Sequence, residues 1–364
     1  MTVAERVLRS RTLAALASPH PVDRYLEMVD PMWAATEVRA RVLDVHRENP
    51  GSDGPEVATL SLQPTRTWRG HRAGQYVQVG VELPGSARRL TRCFSISSPE
   101  SGPGEPITLT IRAHDEGRVS KFLVRDARPG QVLHLGQAEG EFTLPVSPAT
   151  PGPHPLLMIS GGSGITPVMS QLRTLLRDGY DGCAGRPVTF LHFARGQADQ
   201  IFADELAAID AADNDVDVRL FHGDALFSEE LLRRIAPGFR DTDTWVCGPG
   251  GMVDLVRAAY GDSPRLRVEF FKPPVAASGS AEGELTFARA GRSTPNTGTS
   301  ILEQAEAAGL TPEFGCRMGI CFSCTARKSE GTVRNVITGA QSSLPDEDIQ
   351  VCVNAPVGDC AVDL

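Results

Sequence analysis

The chain has 364 residues, with 36 Lys and Arg against 45 Asp and Glu and a formal net charge of −9. That balance leaves no basic footprint for nucleic acid, and no apolar run approaches the roughly 20 residues that a bilayer-spanning helix needs. The length allows about two or three domains. The first residues lack the continuous apolar core of a secretory signal, so the expected compartment is the cytoplasm.

Residues 1–35 read as a helical preface. Val3, Val7, Leu8, Leu13 and Leu16 recur at helical spacing. Packing on the body of the protein is expected, with a peripheral rest at the inner face of a membrane as the second reading, given Arg6, Arg9 and Arg11. From Val38 the pattern turns strand-like. Val38–Val45, Val57–Gln63, Gln75–Val81, Cys93–Ser97 and Ile107–Ala113 are short and β-rich, with Gly and Pro between them, which predicts an antiparallel barrel over 36–148. A helix is expected from Ser120 to Ala127. The Pro-rich stretch near 145–155 marks a boundary. Strands and helices then alternate through residue 272, predicting a doubly wound α/β domain over 149–272. Residues 273–282 read as a flexible linker. The remainder, 283–364, is a compact unit with a helix at Ser300–Ala308. Cys183 and Cys360 read as buried structural thiols.

Five short motifs carry chemistry. Arg92-Cys-Phe-Ser95 sets Arg92 and Phe94 on one strand face, a cation for a flavin phosphate and a flat group for its ring, with the Ser95 hydroxyl near N5. An ordinary strand surface is the alternative. Gly117-Arg-Val119-Ser120 opens a helix, and Ser120 is the expected N-cap of a pyrophosphate seat; a plain capped turn would read the same way. Ser160-Gly-Gly-Ser-Gly-Ile-Thr-Pro167 follows a buried strand. Gly161, Gly162 and Gly164 would let backbone amides face phosphate, with Thr166 capping the next helix. It is neither the G-x-G-x-x-G fingerprint nor a Walker loop. Cys247-Gly248-Pro249 stands at another strand end, where a nicotinamide could be met.

The fifth motif has the highest specificity. Cys316, Cys321 and Cys324, with Cys352 further on, give C-x4-C-x2-C…C, the ligand spacing of a plant-type [2Fe–2S] cluster. Structural zinc usually takes two C-x2-C knuckles or Cys/His pairs, and only one knuckle exists here.

In this order, the motifs make the chain resemble the ferredoxin–NADP+ reductase superfamily carrying a C-terminal plant-type ferredoxin. The resemblance runs from about residue 38 to the end. It implies three modules: an antiparallel β-barrel flavin domain, a doubly wound α/β nucleotide-binding domain and a β-grasp [2Fe–2S] domain. It also implies FAD held by Arg92, Phe94 and Ser95, with Gly117, Val119 and Ser120 at its pyrophosphate. Gly161, Gly162, Gly164 and Thr166 would then meet the nicotinamide dinucleotide, and Cys247, Gly248 and Pro249 its ring. Glu269-Phe-Phe271 matches the family's acid-x-aromatic ending, with Phe271 expected against the isoalloxazine. Phe94 stands where the family often has Tyr. The activity implied is an NAD(P)H-dependent oxidoreductase in which hydride passes to flavin and single electrons pass through the cluster to a partner. NADPH is the expected nucleotide, through Arg195, with NADH as the second candidate.

Segments Val22–Pro31, Trp68-Arg-Gly70 and Arg72–Tyr76 resemble the oxidoreductases that serve a membrane stearoyl-CoA desaturase. The eight histidines form no di-iron or Rieske pattern, so the acceptor is expected to be another protein: a membrane di-iron fatty-acyl desaturase, or a Rieske oxygenase or cytochrome P450. Glu313, Glu330, Asp346, Glu347 and Asp348 offer it an acidic docking surface. A redox sensor is the alternative outside enzymology.

Overall fold

The computed structural model describes residues 20–50, 54–83, 89–115, 117–144, 155–177, 187–271, 282–315, 317, 319 and 322–364. The first nineteen residues of the preface, the boundary at 145–154, linker residues 273–281, and Cys183, Cys316 and Cys321 lie outside the described residues. The chain divides into two compact units, Met1–Gly248 with Leu255–Glu269 and Pro249–Asp254 with Phe270–Leu364.

The first unit opens with α1 (Val22–Val29) and then a barrel. Its strands are β1 (Val38–Arg47), β2 (Val57–Pro64), β3 (Tyr76–Glu82), β4 (Arg89–Ser95), β5 (Ile107–Arg112) and β6 (Val132–Leu135), with α2 (Arg118–Arg125) between the last two. They pair in the order β4-β3-β6-β1-β2-β5. A bridge between Ile96 and Leu109 joins the two ends, so the antiparallel sheet closes and hides its edges. Alternate residues of β2 and β5, with Val77 and Val79 of β3, fill the interior. The described part of the preface packs on this barrel, as expected. The buried Asp23 carboxylate accepts from the Ala35 and Thr36 amides and the Thr36 hydroxyl. Buried Arg39 of β1 donates to the carbonyls of Pro31, Trp33 and Asp23.

The same unit holds a parallel sheet: β7 (Leu156–Gly161), β8 (Val188–Ala194), β9 (Val216–His222), β10 (Asp243–Cys247) and β11 (Leu266–Glu269), in the order β11-β10-β7-β8-β9. Continuous apolar runs such as Leu156–Ile159 are buried throughout, as strands covered on both faces require. Helices α3 (Ile165–Arg177), α4 (Ala203–Ala211), α5 (Glu229–Ile235) and α6 (Gly250–Tyr260) alternate with these strands in sequence. The order reverses at β7, which makes the gap between β7 and β10 the switch point where open α/β sheets bind ligands. Polar residues clamp α3 to the barrel. Ser170 donates to the Ser98 carbonyl (2.6 Å), Gln171 to Phe142 (2.6 Å) and Arg173 to Ser97 (2.6 Å), while Thr174 accepts from the Glu100 amide (2.8 Å).

In the second unit β12 (Glu284–Phe287), β13 (Arg292–Pro295), β14 (Thr325–Asn335), β15 (Gln341–Ser342), β16 (Glu347–Gln350) and β17 (Asn354–Val362) form a mixed sheet in the order β13-β12-β17-β14-β15, with β16 on β14. Helix α7 (Ile301–Ala307) buries Ile301, Leu302 and Ala305 in the core beside Cys324, Cys352 and Cys360. Ser300 is its N-cap, accepting from the Glu303 amide.

Candidate functional site

The carboxyl edge of the parallel sheet brings the nucleotide residues together. Glu269, Cys247, Ser160 and His192 stand in register across β11, β10, β7 and β8. After β7 the backbone turns through a short 3-10 segment, Gly162–Gly164, and enters α3. Gly162 has a φ of +53°, which glycine adopts freely. Gly164 packs against the neighbouring strand end. A Cβ there would press into the Cys247 carbonyl and lie 2.7 Å from the Gly248 Cα. Cys247 is fully buried, and burial pushes its thiol well above the usual range. The Pro249 carbonyl accepts from the Met252 and Val253 amides at the start of α6.

Two capping expectations need correction. Thr166 lies inside the first turn of α3, because the glycine turn already supplies the helix entry; its hydroxyl donates to the Ser163 carbonyl (3.0 Å). Ser120 likewise sits within α2, whose N-cap is Gly117 and is made by backbone alone. The Ser120 hydroxyl accepts from the His114 amide (3.1 Å) and tightens the turn from inside. A Cβ on Gly117 would strike that hydroxyl and come within 2.9 Å of the His114 Cβ, so the turn has room only for glycine.

On β4, Arg92 pairs with Val79 and Phe94 with Val77, one face as expected, and Phe94 packs half-buried on the barrel core. Ser95 is buried opposite Tyr76. Arg195 follows β8, exposed, with its Nε 3.7 Å from Asp199. Phe271 is the second residue of the stretch Phe270–Leu364 in the second unit and is half-buried.

In the second unit Cys324 and Cys352 are buried in one core. The Cys324 carbonyl accepts from the Val351 amide (3.3 Å), and Gln350 donates to the Gly319 carbonyl (2.7 Å), so the cysteine loop is tied to the chain that leads to Cys352. Gly319 has a φ of +75°, and a Cβ there would sit 2.8 Å from a Val353 methyl. Cys360 is buried, as expected for a structural thiol.

Comparison with known proteins agrees with this geometry. Residues 158–258 match the oxidoreductase NAD-binding domain, and residues 286–355 match the 2Fe-2S iron-sulfur cluster binding domain. An NADPH oxidoreductase of Mycobacterium tuberculosis (strain ATCC 25618 / H37Rv) is 37% identical over 359 residues, covering 96% of this chain and 90% of that protein. The chain belongs to the iron–sulfur flavoprotein reductases of the ferredoxin–NADP+ reductase superfamily. A stachydrine N-demethylase reductase subunit of Rhizobium meliloti (strain 1021) is 29% identical, over 82% of this chain and 88% of the relative. Phthalate dioxygenase reductase, described as a modular structure for electron transfer from pyridine nucleotides to [2Fe-2S], shares the fold with a TM-score of 0.59 at 21% identity, over 90% of this chain and 97% of that one. This reductase is thus an NAD(P)H-dependent oxidoreductase built for flavin, nicotinamide nucleotide and a [2Fe–2S] cluster. The residues present fit those groups. Cramped glycine turns stand where a phosphate would need bare backbone, and two of the four thiols in the cysteine pattern are buried in one core.

Sequence reasoning missed two groups at the sheet edge. Arg112 ends β5 with its guanidinium 3.8 Å from where a Gly162 Cβ would stand. Burial, then the neighbouring Arg195 charge, lowers its pKa, against Asp199 and Asp115. No motif flags it; only barrel closure brings it to the glycine turn. Glu269 was visible in the acid-x-aromatic ending, but its state was not. Among the described residues its buried Oε2 has no hydrogen-bond partner, and burial pushes the carboxyl up to about 8 from 4.5.

The Glu269 shift has a measurable consequence. The folded protein keeps a proton that the unfolded chain releases above about pH 4.5. Stability from this group is full below that pH, declines as pH rises, and is lost through about pH 8. Glu269→Gln should therefore flatten the fall in thermal midpoint between pH 5 and 8 and exceed wild type at pH 9. Parallel profiles for the two proteins by scanning fluorimetry would refute the assignment.

Proposed function

We propose that this reductase takes reducing equivalents from NADPH and delivers single electrons to a membrane-bound non-haem di-iron fatty-acyl desaturase. The observation that supports the general reading is the conjunction, in one chain, of the switch-point glycine turn and the cysteine pattern. Flavin, when bound, supplies the conversion of one hydride's electron pair into the single electrons that a [2Fe–2S] centre passes on. We divide the chain into the extension 1–35, flavin barrel 36–148, nucleotide domain 149–272, linker 273–282 and ferredoxin domain 283–364.

The residues' own work is placement and electrostatics. Arg92, Phe94 and Ser95 hold the flavin on β4, and Gly117, Val119 and Ser120 shape the turn at its pyrophosphate. Gly161, Gly162 and Gly164 keep the dinucleotide seat free of side chains, while Thr166 stitches the turn to α3. By the family resemblance, Cys247, Gly248 and Pro249 would serve the nicotinamide end and Phe271 the isoalloxazine. Cys316, Cys321, Cys324 and Cys352 ligate the cluster.

The flavin is FAD, since the Gly117 helix entry suits a second phosphate, which FMN lacks. Flavin released by heat should run as FAD on HPLC; an FMN peak refutes this. NADPH is preferred, because Arg112 stands at the glycine turn, the Arg195 charge is close enough to act on it, and a guanidinium suits bidentate phosphate binding. Arg195→Ala should raise the KM for NADPH about tenfold, with little effect on NADH. Equal effects on both nucleotides would leave Arg195 without this role.

The desaturase acceptor is supported by the resemblance of Val22–Pro31, Trp68–Gly70 and Arg72–Tyr76 to the desaturase-serving oxidoreductases. The test is reconstitution with desaturase-containing membranes, NADPH and a saturated acyl-CoA. Failure to form the unsaturated product, with efficient support of a Rieske oxygenase or P450, would overturn the assignment. The stachydrine N-demethylase relative favours that second reading.

A further inference from the structure

Helix α1 half-buries Val22 and Leu26 but keeps its other apolar side chains outside. Its one fully buried residue is Asp23, while Tyr25, Met28 and Val29 face solvent at 45%, 79% and 71% exposure, joined by Trp33 at 54%. Of the eleven large apolar side chains exposed among the described residues, these four fall within nine positions of the chain. The neighbouring acids are drawn away. Glu27 pairs with buried Arg39 (3.4 Å) and with Arg24 (3.8 Å), and Asp30 pairs with Arg41 (3.9 Å). What remains is a short exposed apolar stretch, with Tyr25, Met28 and Val29 on α1 and Trp33 just past its end, and Tyr and Trp rings suit the boundary between apolar and wet surroundings.

We propose that this stretch, Tyr25, Met28, Val29 and Trp33, seats the reductase on a lipid bilayer surface. The inference deepens the membrane-acceptor reading and rests on it for its purpose, but its physical argument is separate. Two half-exposed aromatic side chains, of about 150–250 Å² each when whole, together with the smaller Met28 and Val29, supply on the order of a few hundred Å². That lies in the range of patches that are often functional. It falls short of the roughly 800 Å² per partner that a stable dimer needs. A bilayer sets no such threshold, since an amphipathic surface helix needs only to sink its apolar side a few ångströms. The ion-paired acids predict binding to neutral as well as anionic lipid.

The tryptophans provide the reporter. Trp68 and Trp245 are each 1% exposed, so an added quencher reads Trp33 alone. Full-length reductase with its cofactors should float with phosphatidylcholine vesicles, and brominated phosphatidylcholine should quench its tryptophan emission. Met28→Glu combined with Val29→Glu keeps the reporter and should weaken vesicle partitioning about tenfold or more. NADPH–ferricyanide turnover and the thermal midpoint should stay unchanged. No flotation and no quenching in the wild type would overturn the proposal. So would a concentration-dependent dimer that the double variant abolishes. Vesicle binding without acyl-CoA desaturation would overturn the acceptor reading and leave this surface standing.

Discussion

Replacing Cys324 with Ser should abolish the rhombic EPR signal of the reduced protein and cut electron delivery to a protein acceptor to background. Flavin should stay bound, and NADPH–ferricyanide turnover should persist. The reasoning starts from size and chemistry. Ser is nearly isosteric with Cys, and Cys324 sits buried at the foot of β14 in a core that Leu285, Phe287 and Val351 hold together. The fold should therefore survive. A hydroxyl is a poor substitute for a soft thiolate, so the cluster should not. The wild-type cluster is expected near the plant-type potential of about −400 mV. The barrel and parallel sheet lie in the other compact unit, so their cofactors should be untouched. Stoichiometric zinc without iron in the native protein would sink this reading, as would an EPR signal that survives in the variant.

How far the sequence could be read depends on whether a feature is local. The strand ends before Gly161 and at Cys247 were legible because buried apolar runs meet glycine there, and both signals lie within a few residues. The helix Glu229–Ile235 is set locally too: Ser228, next to it in the chain, caps it and accepts from the Leu231 amide. The polar face of α3 was not. Ser170, Gln171 and Thr174 look like a solvated stripe and are buried, because barrel loops about 30 to 100 residues away in sequence satisfy them. Strand β6 has four residues, too few for a period to register, yet it joins β1 to β3 at the centre of the barrel sheet. In β14 the alternation fails at Lys328. Its stem is fully buried and its Nζ donates to the carbonyls of Gly331 and Leu344, a charge in a core position that pattern reading assigns to the surface. The cap positions at α2 and α3 were displaced by two or three residues because glycine turns took over the entry that Ser and Thr were expected to make.

Gly164→Ala should raise the KM for NADPH about ten- to a hundredfold while leaving flavin content and the cluster EPR signal as in wild type. One added carbon is enough. It would press into the Cys247 carbonyl and sit 2.7 Å from the Gly248 Cα, where real side chains do not go. Neither neighbour can yield cheaply. Cys247 is the last residue of a central strand paired on both sides, and Ser160, just before the turn, is locked between β10 and β8. The turn must therefore lift away from β10. Overpacking of this kind costs about 1–3 kcal/mol, and about 1.4 kcal/mol is a tenfold change in affinity. The cost should fall on nucleotide binding, because the turn is the seat for phosphate and α3 behind it stays clamped to the barrel by Ser170, Gln171 and Arg173. Gly238→Ala is the control: nothing lies within 4 Å of its new Cβ, and its backbone needs no left-handed conformation. That variant should stay within about twofold of wild type. NADPH–ferricyanide kinetics separate the outcomes. An unchanged KM in Gly164→Ala would mean that the dinucleotide does not depend on this turn, and the switch point would lose its assigned ligand.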